Sequence, residues 1–239
     1  MKHFRGAIAA GVLLAAGLGS SVQAQQNPGP DALTDPSMKG PEVVAFIGLK
    51  PGDKVADIVA GRFVRALSQA VGPNGKVYAV MPAEVVKAHP EVIPMLTQVA
   101  AQPAHRNVVV SQPPVNAMAL PSGLDAVFIR QNYHDLYDKF MGPADVDGFN
   151  RAVYAALKPG GVYVILDHAA APGAPMSVTE TLHRIDVSRV KADVMKAGFR
   201  LDSESKAVAD PADDHTKMVF NPAIRGKTDQ FLLKFRKPK

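Results

Sequence analysis

The stretch Gly48–Val80, GLKPGDKVADIVAGRFVRALSQAVGPNGKVYAV, decides the fold of this 239-residue chain. An apolar run at Val55–Ala60 ends at Gly61, and apolar residues then recur at the spacing of one helix face. A Gly-Pro-Asn-Gly turn separates that helix from a second β-rich run at Lys76–Met81. Strand, helix and strand in this order predict a right-handed crossover between two parallel strands, with the Gly61 turn on the carboxyl edge of the sheet.

The alternation of strands and helices continues to the end of the chain. Further strands are predicted at Asn107–Val110, Asp125–Arg130 and Val162–Asp167, with a last pair at Phe199–Ala207 and Asp229–Phe235. Helices are predicted at Pro41–Phe46, Asp145–Leu157 and Val187–Ala197, the last of them capped by Asp186. This pattern is typical of an α/β domain with a mostly parallel central sheet and helices on both faces.

The first 24 residues have the composition of a secretory signal peptide. Lys2 and Arg5 precede an apolar, Gly-rich core at Gly6–Gly19 that is too short to span a bilayer, and the small residue Ala24 marks the expected cleavage site. We therefore expect a signal peptide at residues 1–24, a flexible lead-in at residues 25–40 and a single domain at residues 41–239. The mature protein is expected to be periplasmic or secreted, without stable membrane insertion.

The composition excludes several classes of site. The chain has no Cys, so disulfides, thiolate metal sites and a Cys nucleophile are not available. Loss of Lys2 and Arg5 with the signal peptide lowers the formal net charge from +5 to +3. Such a weak excess gives no reason to expect nucleic acid as a partner, and a small-molecule ligand is expected instead.

Four motifs together resemble the class I S-adenosylmethionine (SAM)-dependent methyltransferases, and most closely the exported bacterial predicted methyltransferases. They are Gly48–Val80, LDAVFIRQNYHD at Leu124–Asp135, FNRAVYAALKPGGVYVILDH at Phe149–His168 and TLHRID at Thr181–Asp186. The resemblance implies a Rossmann-like methyltransferase fold whose sheet ends in an antiparallel C-terminal hairpin. It also implies SAM as the cofactor and methyl transfer as the activity.

The resemblance places the cofactor beside Asp57, Gly61, Met81 and Asn132. In the family, a Gly-rich turn lets the backbone approach the cofactor closely. Here Val59, Arg62 and Phe63 occupy positions at which the family favours small residues. Met81 replaces a carboxylate that accepts hydrogen bonds from the ribose hydroxyls, and a thioether cannot do the same. These departures favour weak or lost SAM binding.

The candidate chemistry lies after the fourth and fifth predicted strands. Because the carboxyl ends of parallel strands meet at one edge of the sheet, the NYHD motif, His168 and the loop at His183 could converge there. The candidate catalytic residues are His134 as general base, Asp135 as the group that orients it, and His183. The candidate substrate contacts are Tyr133, His168 and Arg184, the last through an anionic group. In the alternative, Arg184 pairs with Asp186 or another surface carboxylate, Asp135 caps a short helix that starts near Leu136, and the histidines are structural.

Three classes of function are open at this point. The first is an exported SAM-dependent methyltransferase that acts on a small molecule, and the second is a non-catalytic pseudo-methyltransferase that binds another exported ligand. The third is a metal-assisted hydrolase built from His134, His168, His183 and Asp135. The sequence lacks HxH or HExxH spacing, so we predict no metal site.

Overall fold

The computed structural model describes residues 30–142 and 144–239, so the predicted signal peptide lies outside the described residues. Its strands form one seven-stranded sheet in the order β3-β2-β1-β4-β5-β7-β6. The strands are β1 Lys54–Ile58, β2 Lys76–Val80, β3 Val108–Ser111, β4 Leu124–Arg130, β5 Leu157–His168, β6 Arg200–Ser205 and β7 Gln230–Arg236. Strands β1 to β5 are parallel, whereas β7 runs antiparallel to both β5 and β6. The expected fold with an antiparallel C-terminal edge is confirmed.

Helices flank this sheet, and α1, α2, α5 and α7 correspond to the predicted helical segments. They are α1 Gly40–Ile47, α2 Val64–Val71, α3 Ala83–Ala88, α4 Val92–Ala101, α5 Val146–Ala156, α6 Val178–Leu182 and α7 Val187–Lys196. Asp186 caps α7 as predicted, because its side chain accepts a hydrogen bond from the backbone N–H of Ser188. None of the helices in residues 30–142 and 144–239 has the length and hydropathy needed to cross a bilayer.

The central strands are apolar along most of their length because both faces of the sheet are covered. In β4, the residues from Ala126 to Ile129 are all at most 1% exposed. Strand β5 is longer than predicted, since the Lys-Pro-Gly-Gly run at residues 158–161 ends α5 and then enters the strand. Its pairing with β4 shifts register between Leu124 and Ala126, which accommodates this run.

Residues 30–39 pack against the start of α2. The Asp31 carboxylate pairs with the Arg65 guanidinium at 3.0 Å, and the backbone N–H of Ala32 donates to the carbonyl of Arg62 at 2.9 Å. Both Asp31 and Ala32 are buried. This end of the expected lead-in therefore covers the turn that follows β1.

Candidate functional site

The turn after β1 has one glycine, Gly61, and a left-handed backbone conformation at a residue that is not glycine. Val59 has a φ of 53°, in the left-handed region that a β-branched residue rarely adopts. Gly61 has no such angle, and a Cβ added there would meet no atom within 4 Å. The turn is therefore strained at Val59 and open at Gly61.

Two of the four predicted cofactor residues are inaccessible. Met81 is 1% exposed and Asp57 is 2% exposed. Burial raises the pKa of the Asp57 carboxyl to about 7, and its hydrogen bond from the N–H of Gly61 is long, at 3.4 Å. Neither side chain presents a surface on which a ribose or an amino group could rest.

Phe63 and Arg130 occupy the space between this turn and the end of β4. Phe63 is 1% exposed and packs edge-on against Phe128, with 5.3 Å between the ring centroids. The Arg130 guanidinium lies over the other side of the Phe63 ring, 5.6 Å from its centroid. Burial lowers the pKa of Arg130 to about 10, and its buried Nε has no hydrogen-bond partner. An aromatic ring and a cation thus fill a region where the family pattern favours small residues.

A pocket of about 590 Å³ opens beside the ends of β4 and β5, and we call it the histidine pocket. Its polar lining includes Arg130, Gln131, Asn132, His134, Asp135 and the two histidines His168 and His183. Its apolar lining includes Val85, Ala88, Phe140, Val219 and Phe220. Gly61 lies instead in a separate pocket of about 160 Å³, so the predicted cofactor residues Gly61 and Asn132 do not share a pocket.

His134 lies at the centre of the polar side of the histidine pocket. Its Nδ1 is 2.8 Å from Asp167 Oδ1, and its backbone N–H donates to Asp167 Oδ2 at 2.9 Å. Its Nε2 is 3.0 Å from Asp135 Oδ1, as expected for a residue that orients it. Asn132 in turn donates to the other oxygen of Asp135 at 2.5 Å. Two carboxylates therefore hold the imidazole at both nitrogens.

This environment changes the charge expected for His134. Burial by itself lowers the pKa of His134, but the charges and hydrogen bonds of Asp167 and Asp135 outweigh it and raise the pKa to about 10. The Asp135 carboxylate is also buried, yet its hydrogen bonds with His134 and His183 hold its pKa well below the usual range. As arranged here, His134 is protonated at neutral pH and can donate a proton but not accept one. His134 as general base therefore stays a prediction, and that role would require His134 to lose this proton first.

His183 joins this group from the opposite side of the pocket. It ends α6 with a φ of 53°, which turns the chain and directs the ring toward His134. Its Nδ1 is 3.4 Å from His134 Nε2, 3.8 Å from Asp135 Oδ1 and 3.9 Å from Asp138 Oδ2. His134, Asp135 and His183 thus lie together in the structure.

His168 lines the same pocket but has a different partner. Its Nδ1 is 2.9 Å from the Thr228 hydroxyl, and its ring centroid is 6.3 Å from that of His134. Burial lowers the pKa of His168 to about 4, so it is neutral at physiological pH. It remains a candidate substrate contact through its pocket face.

Tyr133 and Arg184, the other predicted substrate contacts, lie away from the pocket. Tyr133 is fully buried, and its hydroxyl accepts a hydrogen bond from Asn150 at 2.8 Å. Arg184 is also fully buried and pairs with Asp213 at 2.8 Å, while it donates to the carbonyls of Ala169 and Lys217. Arg184 therefore anchors the connection between β6 and β7 and follows the structural alternative, with Asp213 rather than Asp186 as its partner.

Sequence reasoning missed two carboxylates of this site. Asp167 is the last residue of a predicted strand, directly before His168, and its position at the carboxyl edge was the available signal. Asp138 lies three residues after Asp135, a spacing that brings both to one side of a tight helical turn. Its side chain is only 3% exposed.

Comparison with known proteins identifies the fold. No protein-family model and no curated protein matches the chain. Among solved structures, a SAM-dependent methyltransferase from Aquifex aeolicus is 24% identical, with a TM-score of 0.56 over 85% of this chain and 94% of that one. The chain has the class I SAM-dependent methyltransferase fold.

Two further structures with this fold have other descriptions. The [4+2]-cyclase SpnF is 14% identical, with a TM-score of 0.59 over 88% of this chain and 86% of that one. A possible exported protein from Bordetella parapertussis is 18% identical, with a TM-score of 0.52 over 84% of this chain and 68% of that one. At these identities the likeness establishes the methyltransferase fold and not an activity.

Proposed function

We propose that this protein is an exported small-molecule-binding protein that keeps the methyltransferase fold and uses the histidine pocket as its functional site. One observation carries the proposal: buried, interacting His and Asp side chains converge on the larger pocket, whereas the residues around the β1 turn are buried or bulky. The pocket volume of about 590 Å³ lies in the usual range for small-molecule sites. The signal-peptide pattern in residues 1–24 supports export.

The lining of the pocket indicates the kind of ligand. Phe140 and Phe220 are 42% and 51% exposed and offer an apolar wall. The amides of Gln131 and Asn132 and the imidazole of His168 line the same pocket. A small, partly apolar molecule with a few polar groups fits this combination.

A second candidate is SAM-dependent methyl transfer to an acceptor in the histidine pocket. The SAM-dependent methyltransferases among the structural neighbours and the open space beside Gly61 favour it. Buried Asp57 and Met81, and Phe63 beneath Arg130, do not fit the family's usual way of holding SAM. We therefore derive no catalytic step through that cofactor.

A thermal-shift experiment with millimolar SAM separates the two candidates. We expect no rise in the melting temperature of the mature protein, because only a ligand that binds the folded state raises that temperature. A concentration-dependent rise that fits a single site would favour the methyltransferase instead.

A fragment screen by ligand-observed NMR tests the pocket directly. Ala88→Phe places a ring into the pocket from α3, so fragments that bind the wild-type protein should be lost. Ala101→Phe is the matched control, because this exposed residue at the end of α4 does not line the pocket. Fragment binding that survives in Ala88→Phe would contradict the proposed site.

A further inference from the structure

We propose that the histidine pocket contains a site for a divalent transition-metal ion, bound by His134, His183, Asp135 and Asp138. This inference deepens the proposed function, because it names a ligand for the same pocket. The sequence pattern predicted no metal site and offered His168 as the fourth member of a hypothetical one. The structure brings Asp138 to that position instead.

The ligand atoms of the four side chains lie close enough to one another for small side-chain movements to place them around one ion. One ligand atom from each residue lies within 4.8 Å of every other. A tetrahedral ion with bonds of 2.0–2.1 Å keeps its ligands roughly 3.3–3.4 Å apart. His134 Nε2 and His183 Nδ1 are 3.4 Å apart, and Asp135 Oδ1 is 3.0 Å from His134 Nε2. Asp138 Oδ2 is slightly farther out, at 3.9 Å from His183 Nδ1.

The surrounding hydrogen bonds orient these ligands as metal sites require. Metal-bound histidines usually donate their second ring N–H to a carboxylate, which fixes the ring and the tautomer. Asp167 does this at Nδ1 of His134 and is itself held by the backbone N–H groups of His134 and His168. The Asn132 amide holds Oδ2 of Asp135, so that Oδ1 faces the two histidines.

Asp138 supplies an independent observation that points to a cation. Its side chain is 3% exposed, and its buried Oδ1 has no hydrogen-bond partner. A buried carboxylate oxygen without a partner is costly, and such groups are normally paired or bound to metal. A cation bound through Oδ2, the oxygen that faces His183, would neutralise this buried carboxylate.

The ligand types indicate which ions fit. Two imidazoles and two carboxylates suit zinc and its first-row neighbours, whereas magnesium and calcium prefer sites made of oxygen atoms alone. His183, with 27% of its side chain exposed, gives the ion a path from the pocket. The competing arrangement has a proton on His134 Nε2 in place of the ion and needs no metal.

Calorimetric titration of untagged, chelator-treated mature protein with zinc chloride distinguishes these arrangements. We expect one ion per chain, and titration with cobalt should give the visible absorption of a tetrahedral nitrogen and oxygen site. Absence of binding, or binding of several ions with unrelated affinities, would overturn the proposal.

Single-residue variants then test which side chains bind the ion. Asp138→Asn preserves the size of the side chain. His183→Asn introduces a residue that tolerates the left-handed backbone at this position. Each variant should weaken zinc binding at least tenfold. Asp167→Asn should weaken it about 10–100-fold through loss of ligand orientation. His89→Ala removes an exposed histidine of the same pocket and should leave affinity unchanged.

Wild-type affinity in both Asp138→Asn and His183→Asn would refute the assignment. The fragment screen keeps the two proposals separate. If Ala88→Phe blocks fragment binding but the wild-type protein binds no zinc, only the metal site is refuted. If the protein binds zinc but no fragment, only the small-molecule function is refuted.

Discussion

Two neighbouring regions on the carboxyl edge of the sheet have opposite character. The turn after β1 is packed with the buried side chains of Phe63 and Met81, which stabilise a fold, and it also buries Asp57, whose carboxyl is partly neutral there. The ends of β4 and β5 concentrate charged side chains around a pocket, where burial is costly unless a function retains them. The comparison teaches that one edge of this sheet can be packed as core after β1 and still leave polar side chains around a pocket at the ends of β4 and β5.

The largest expected effect is the loss of stability in Phe63→Ala. If the β1 turn is structural, removing this buried ring should lower the free energy of unfolding by about 3–5 kcal/mol, which is typical for Phe in a core. Denaturant unfolding measures this directly. A change below about 1 kcal/mol would mean that the ring occupies a site kept open for a ligand.

Asp57→Asn should change how stability depends on pH. Burial raises the folded-state pKa of Asp57 from 3.8 to about 7, so the wild-type protein loses stability as pH rises from about 4 to 7 and levels off above that. The variant lacks this loss, and its stability relative to wild type should rise by up to about 4 kcal/mol across the window.

The control for this experiment is Glu91→Gln, whose carboxylate side chain is 72% exposed. Its stability relative to wild type should hardly vary between pH 4 and 8. A flat difference for Asp57→Asn as well would contradict a buried, structural Asp57.

Tyr133→Phe distinguishes a structural tyrosine from a substrate contact. Loss of the hydroxyl leaves the buried Asn150 amide without its acceptor, which should cost about 1–3 kcal/mol of stability. Fragment binding in the histidine pocket should be unchanged. Unchanged stability together with weaker fragment binding would show instead that Tyr133 contacts the ligand.

The smallest stability effect is expected for Phe220→Ala, on the pocket side of the comparison. Phe220 is 51% exposed and contacts His183 with 5.0 Å between the ring centroids. Its removal should change the unfolding free energy by less than about 1 kcal/mol, while fragment binding weakens severalfold. A large loss of stability would show that this wall is part of the core.

Much of the fold was predictable because periodicity and turn residues are local signals. The strand, helix and strand of Gly48–Val80 and the cap at Asp186 follow from such signals. The meeting of His134 and His183 was only one option from the sequence, since parallel strands bring their carboxyl ends to one edge but His183 follows a short helix whose position the sequence did not indicate.

The partners of individual side chains were not predictable, because they depend on contacts between distant parts of the chain. Gln131 has a φ of 55°, and this turn directs Tyr133 into the core and His134 toward Asp167. Arg184 finds Asp213 in a connection that has no periodic pattern. The charge of His134 likewise depends on two carboxylates, of which the sequence indicated only Asp135.

The most direct test of the account is a pair of calorimetric titrations of the same untagged mature protein, one with SAM and one with zinc chloride. If the functional centre lies at the ends of β4 and β5, zinc should bind at one ion per chain and millimolar SAM should release no heat of binding. Saturable SAM binding without zinc binding would place the centre back at the turn after β1 and contradict the account.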